Sequence, residues 1–191
     1  MSLRNFAKAV LPRFVIDFLR RPTKARRESN AWLRAHCRDV KGVVLSIGSG
    51  RDDDREGDFY RNYFPNASSY TTSEPFPEFD CDLLLDVRHM PEVAEGSYDC
   101  VYCSGVLEHV DDFQSGLDEI TRVLKPGGIL LLGLPFRQPI HMGEHDFWRF
   151  TEHGIRFLLK DSYVVQEMAS FGVTKRMDFP ATYWVKASKP K

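Results

Sequence analysis

Apolar residues fall into short continuous runs separated by polar stretches rich in glycine and proline, as buried strands alternating with turns and helices do. The first run, Val43-Val44-Leu45-Ser46-Ile47 between Gly42 and Gly48, predicts a central strand. Further strands are predicted at about 69–73, 83–85, 98–103 and 129–134, with 163–171 and 183–187 as a closing pair. Between them, Phe113, Leu117, Ile120, Val123 and Leu124 recur at helical spacing behind an Asp112 cap, and Lys125-Pro126-Gly127-Gly128 is expected to stop that helix. Ile155, Leu158 and Leu159 mark a last helix behind Thr151. A short helix is predicted near 59–63, whereas 51–57 is too polar and glycine-interrupted for a buried one. Such alternation predicts an α/β fold on a mostly parallel sheet.

The first 40 residues differ in character and are read as a helical segment preceding a domain at 41–191. Leu3, Phe6, Val10, Phe14, Ile16, Phe18 and Leu19 supply apolar faces, broken by Pro12 and Pro22, and a second helical piece at 23–37 carries Trp32 and Leu33. This stretch suits a cap packed across the sheet edge or over the mouth of a site. It also has the makings of a basic amphipathic segment touching anionic membrane. Asp17 and the prolines favour the cap.

Length and composition narrow the picture. A chain of 191 residues fits one domain with a full core. No apolar run is long enough to span a membrane, and no secretory leader is visible, which predicts a cytoplasmic protein. The net charge of −1 conceals a basic start: Arg4, Lys8, Arg13, Arg20, Arg21, Lys24, Arg26 and Arg27 stand against Asp17. The basic run is short and the body carries no basic stripe, which argues against a nucleic-acid partner. The short chain leaves little room for a macromolecular docking domain, which favours a small-molecule partner, and the oligomeric state stays open. Cys100 and Cys103 form a C-x-x-C, but on a strand they face opposite ways, so reduced and partly buried thiols are expected.

Candidate chemistry gathers at strand ends. Glu74, Asp86 and Glu108 lie at or just beyond the ends of three successive predicted strands, and in a doubly wound sheet those ends open on one crevice. Gly48 and Gly50 allow a sharp turn and close backbone approach of a ligand there. A carboxylate can accept from two ribose hydroxyls, and another from an exocyclic amine such as that of adenine.

Six segments carry a family resemblance: Val44-Leu45-Ser46-Ile47-Gly48-Ser49-Gly50, Ser73-Glu74-Pro75, Asp86-Val87-Arg88-His89-Met90-Pro91, Gly96-Ser97-Tyr98-Asp99-Cys100-Val101, Gly105-Val106-Leu107-Glu108-His109-Val110 and Leu124-Lys125-Pro126-Gly127-Gly128. In order and spacing, across about 42–135, the chain resembles a class I S-adenosylmethionine-dependent methyltransferase of the small-molecule type. His145-Asp146-Phe147-Trp148-Arg149-Phe150-Thr151 is similar to a phrase of a bacterial subgroup. The resemblance implies a Rossmann-like, doubly wound sheet of seven strands with an antiparallel last strand, and S-adenosylmethionine as cofactor. It further implies that Gly48, Ser49 and Gly50 lie against the cofactor and that Glu74 holds the ribose. Asp86 would accept from the adenine amine, the Val87 backbone would contact the ring, and Cys103 and Ser104 would lie near the sulfonium. Two positions depart from the pattern: Ser46 stands where the family usually has an acid, and Asp52 where it has glycine or another small residue.

The expected reaction is methyl transfer to oxygen or nitrogen of a small polar acceptor, a sugar or glycan precursor being one candidate class; the alternative is a cofactor-binding module without catalysis. The loop after the fifth strand offers His145 and His141 as general bases, with Asp146 or Glu144 orienting an imidazole. Arg149 is a candidate to bind an anionic substrate group and Trp148 to wall the pocket; the plainer alternative makes the aromatics loop anchors and pairs Arg149 with Asp146. His141-x-x-Glu144-His145 matches an inverted zincin pattern, but Pro139 and Gly143 oppose the helix it needs, so no metal is expected. His109 is expected to shape the loop after the fourth strand.

Overall fold

The computed structural model describes residues 22–174 and 179–191, and the apolar faces expected ahead of Pro22 lie outside them. The elements are α1 (Lys24–Cys37), β1 (Gly42–Ile47), β2 (Ala67–Glu74), β3 (Leu83–Leu84), β4 (Tyr98–Ser104), α2 (Phe113–Val123), β5 (Leu124–Pro135), α3 (Glu152–Leu159), β6 (Val164–Phe171) and β7 (Thr182–Ser188). Single 3₁₀ turns occur at Tyr60–Tyr63, Leu107–His109 and Gly143–His145. Among the described residues seven strands form one sheet in the order β3-β2-β1-β4-β5-β7-β6. All run parallel except β7, which is antiparallel to both neighbours. The doubly wound sheet with an antiparallel last strand is thus present.

Period-two alternation divides the strands between two cores. Leu45, Val101, Cys103, Leu130, Leu132 and Val185 pack with Leu117, Ile120 and Val123 of α2 and Ile155 and Leu159 of α3. On the opposite face Val44, Cys100, Tyr102, Leu131 and Trp184 pack with Leu33 and Cys37 of α1 and with Tyr60, Tyr63 and Phe64. Cys100 and Cys103 therefore belong to different cores, both fully buried and free. Each large apolar side chain so buried contributes roughly 1.5–3 kcal/mol. No helix among the described residues is long and apolar enough to cross a membrane.

Three sequence expectations need adjustment. Lys125-Pro126-Gly127-Gly128 does not form a helix stop outside the strand; α2 ends at Val123, and these four residues belong to β5. Tyr98 pairs with Leu124 and Cys100 with Ile129, so all four bulge opposite Asp99, whose carboxylate accepts from Lys125 Nζ at 2.8 Å and Val43 N at 2.8 Å. The third strand is two residues long, with Leu85 just beyond it, and the helix expected near 59–63 is a 3₁₀ turn.

The connection after β1 is polar yet folded around buried carboxylates. Asp54 is fully buried and accepts from Tyr63 Oη at 2.6 Å, Arg34 of α1 at 2.7 Å, and the backbone N–H groups of Glu56 and Asp58. Asn30 of α1, also buried, donates to the Asp54 carbonyl and the Glu56 carboxylate and accepts from Tyr60. At the far end, Trp32 and His36 both meet Glu167 of β6. α1 therefore lies over the second face of the sheet, from this loop to the β6 edge.

Burial raises the Asp54 pKa, but Tyr63, the two backbone donors and Arg34 together hold it below the usual carboxylate range. A depressed carboxylate contributes stability above its unfolded pKa of about 3.9 and loses it as pH falls through the folded value. Asp54→Asn is expected to lower stability at pH 7 by about 1–3 kcal/mol, since buried donors lose a charged acceptor. The variant should also show a shallower loss of thermal midpoint than the parent as pH drops below about 4, read by circular dichroism melts.

Candidate active site

At the carboxyl end of β1 the chain reverses through Gly48-Ser49-Gly50, with φ of +67° at Gly48 and +57° at Gly50. One acceptor seats the turn: the Ser73 carbonyl at the end of β2 receives Gly48 N at 2.9 Å and Ser49 N at 3.1 Å. The Ser49 hydroxyl lies 2.9 Å from the Ser46 hydroxyl and receives Ser73 N at 3.1 Å. Ser46, fully buried, thus anchors the turn by hydrogen bonds in the position where the resembled family usually has an acid. A side chain at Gly48 would overlap Val106, which follows β4 and covers the turn.

Gly50 N donates to the Glu74 carboxylate. Burial raises the Glu74 pKa and the Gly50 hydrogen bond opposes this. Asp52, two residues on, has a φ of +56°, a left-handed conformation that glycine adopts without strain. Its carboxylate compensates by accepting from Tyr70 Oη at 2.8 Å and from Arg61 N and Nε at 3.0 and 3.1 Å. Leu85 N donates to the Glu74 carbonyl, which places Asp86 next along the same rim. Asp86 is exposed and chelated by Arg88, which also reaches Asp111. The Arg88 hydrogen bonds hold the Asp86 pKa down.

A second group forms where the chain leaves β4 and β5. Glu108 is 1% exposed, and burial pushes its pKa up to about 7. Its carbonyl accepts from Phe147 N and Trp148 N, stitching the post-β4 turn to the post-β5 loop. His109 Nδ1 lies 2.7 Å from the His145 carbonyl, and its Nε2 lies 3.2 Å from His141 Nε2. Asp146 accepts from His141 N at 2.7 Å and lies 3.3 Å from His141 Nδ1. Arg149 grips Asp146 through both terminal nitrogens, at 2.6 and 2.8 Å, and holds its pKa well below the carboxylate range. Beside this loop is an open cavity of about 580 Å³ lined by Phe136, Pro139, Ile140, Asp146, Phe147 and Arg149 among others. Another, of about 340 Å³, lies at the opposite end of the strands beside Asp99 and Lys125.

Residues 61–132 match the family model described as methyltransferase domain. That stretch, from the 3₁₀ turn before β2 to within β5, is similar to a methyltransferase domain. It is 26% identical over 144 residues to a mouse protein, thiol S-methyltransferase TMT1B, the match covering 64% of the chain and 57% of that protein, with the rat counterpart equally similar. The chain thus spans little more than half the length of these curated relatives. Among solved structures, Burkholderia thailandensis 1,6-didemethyltoxoflavin-N1-methyltransferase, with 1,6-didemethyltoxoflavin and S-adenosylhomocysteine bound, superposes with a TM-score of 0.65 at 19% identity, covering 100% of this chain and 92% of that one. N-methyltransferase NodS from Bradyrhizobium japonicum does so with a TM-score of 0.62 at 16% identity, covering 87% and 95%.

On this fold, Gly48 N and Ser49 N donate to the Ser73 carbonyl and Gly50 N to the Glu74 carboxylate, with Asp86 two residues beyond the end of β3. Val87 is buried against Gly116 of α2, and the Cys103 thiol sits in the first core, leaving the Cys103 backbone and Ser104 at the strand end. Asp146 orients His141 and not His145, whose exposed ring packs edge-on to Phe147. Arg149 is occupied by Asp146 and by the Trp148, Gln138 and Pro139 carbonyls, and Trp148 donates to the Val110 carbonyl, as the plainer alternative has it. His141, Glu144 and His145 do not share a helix, because Met142 is left-handed and Gly143–His145 is one 3₁₀ turn. His109, expected to shape the loop after β4, holds the His145 carbonyl through Nδ1; its ring also faces His141, a pairing across 32 residues that no local pattern announces.

The glycine turn yields a direct test. Gly48→Ala combines a left-handed backbone, costing about 1–2 kcal/mol, with overlap against the stiff Val106 side chain. Urea denaturation should show the variant destabilised by at least that amount. Gly48→Ala/Val106→Ala should recover the overlap part while retaining the backbone cost.

Proposed function

We propose that this chain transfers a methyl group from S-adenosylmethionine to a nucleophilic atom of a small acceptor. The observation that carries the reading is a convergence. The Gly48–Gly50 turn, Glu74, and the histidine-bearing segments after β4 and β5 all leave the carboxyl ends of parallel strands, where an open α/β sheet binds ligands.

The residues present fit the cofactor. One carboxylate oxygen of Glu74 is fixed by Gly50 N–H, which leaves the other for a hydroxyl pair on ribose. Asp86, held in place by Arg88, supplies an acceptor further along the rim, as an exocyclic amine requires. When bound, the cofactor supplies an electrophilic methyl on a sulfonium; the chain's own part is alignment and handling of the acceptor's proton. His141 is the residue positioned for that proton: Asp146 and the Pro139 carbonyl hold its Nδ1 side, which leaves Nε2 as acceptor. The adjoining cavity suits a small acceptor, and the thiol named for the mouse and rat relatives adds sulfur to the expected oxygen and nitrogen.

Calorimetry with S-adenosylhomocysteine tests the cofactor half. Binding is expected, and Glu74→Gln should weaken it about ten- to a hundredfold, the worth of one charge-assisted hydrogen bond of about 1.5–3 kcal/mol. Asp86→Ala should weaken it as well. Labelled methyl transfer to a panel of thiols, alcohols and amines tests the other half. Silence toward S-adenosylhomocysteine would end this reading; binding without transfer would leave a cofactor-binding module.

A further inference from the structure

Glu108, His109 and His141 place one ligand atom each within 4.8 Å of one another. Their hydrogen bonds define what those atoms are. His109 Nδ1 faces the His145 carbonyl, which can only accept, so Nδ1 carries the proton and Nε2 the lone pair. His141 Nδ1 faces the Pro139 carbonyl at 3.1 Å and Asp146 Oδ2 at 3.3 Å, again acceptors, so its Nε2 also carries a lone pair. The two lone pairs confront each other at 3.2 Å. Glu108, almost wholly buried, brings Oε1 to 3.8 Å from His109 Nε2, and its Oε2 has no hydrogen-bond partner among the described residues. Three electron-pair donors thus converge with nothing positive between them. A proton shared by the two rings would reconcile the imidazoles but leave the Glu108 oxygen as it is.

We infer that Glu108, His109 and His141 bind a divalent transition-metal ion, zinc being the ion their chemistry suits best. Two nitrogens each about 2.0–2.1 Å from a zinc ion and 3.2 Å from each other subtend about 100°, close to the tetrahedral angle. Each histidine turns its second nitrogen to a carbonyl or carboxylate, and Arg149 fixes that carboxylate in turn, the supporting arrangement that metal-binding histidines have. With the His141 side chain 40% exposed, a fourth position opens to solvent, and three protein ligands with one open place is the pattern of catalytic zinc. The site shares His141 alone with the His141-x-x-Glu144-His145 motif and takes its other two ligands, Glu108 and His109, from the turn after β4. Binding of the ion does not depend on the methyl-transfer reading, but its use does: with His141 Nε2 on the metal, the ion takes over the role given above to that nitrogen, and the open position would hold an acceptor hydroxyl or thiol as its anion, the proton leaving to solvent.

The test uses the full chain stripped with a chelator and titrated with Zn²⁺ by calorimetry, with bound metal counted by mass spectrometry. One equivalent is expected, with affinity reduced at least tenfold in His109→Gln, His141→Ala and Glu108→Gln. Should a variant fail to fold, Co²⁺ loaded into the parent chain decides the matter. Visible bands of four- or five-coordinate cobalt without thiolate charge transfer support the site, and thiolate charge transfer overturns it. Absence of saturable binding, or binding unchanged in folded variants, also overturns it. S-adenosylhomocysteine titrated into the same samples keeps the readings apart. Heat from it with none from Zn²⁺ ends the metal inference alone, and the reverse ends methyl transfer alone.

Discussion

One carbonyl group organises the carboxyl edge of the sheet. Ser73 O accepts from two successive N–H groups of the turn after β1, locking the end of one strand to the end of its neighbour. That lock brings Gly50 N–H to Glu74 and sets Gly48 beneath Val106, so that strands one, two and four share a rim before any ligand arrives. A buried carboxylate is tolerated there because a backbone donor meets it. Preformed alignment of this kind is what the proposed methyl transfer would draw on, since its reactive chemistry would belong to the cofactor.

Most of this arrangement was legible in the chain itself. Continuous apolar runs such as 129–134 have little choice but to be central parallel strands, and glycines where β1 ends mark a sharp turn. The substitutions at Ser46 and Asp52 were legible as departures but not as solutions. Ser46 makes the turn a hydroxyl network, and Asp52 holds a backbone conformation suited to glycine by anchoring its side chain to Tyr70 and Arg61. These partners lie 9 to 18 residues away, beyond the reach of local pattern. The same limit hid the pairing of His109 with His141 and the placing of Lys125-Pro126-Gly127-Gly128 inside a strand, because a bulge is defined by the neighbour it faces.

The connection after β1 shows how polarity can stand in for a helix. A buried helix would bring its own backbone hydrogen bonds; this segment instead satisfies its amides with the Asp54 carboxylate, and α1 supplies Asn30 and Arg34 to complete the set. Such a set is all-or-none, since a half-satisfied buried network is worse than an apolar one. α1 is in this way tied to the segment beside the glycine turn and, through Trp32 and His36, to the far strand of the sheet.

The two margins of the sheet differ in a way that bears on self-association. β3 has two residues and offers almost no ladder for another chain to extend. β6 is eight residues long, but a register shift between Val165 and Glu167 interrupts it, and Glu167 at that break is engaged by the indole and imidazole of α1. A kinked margin with an anionic group clamped at the kink is a poor template for strand recruitment. Among the described residues, the helix that roofs one face of the sheet thus also clamps the break in its longer edge strand, where strand recruitment would otherwise begin.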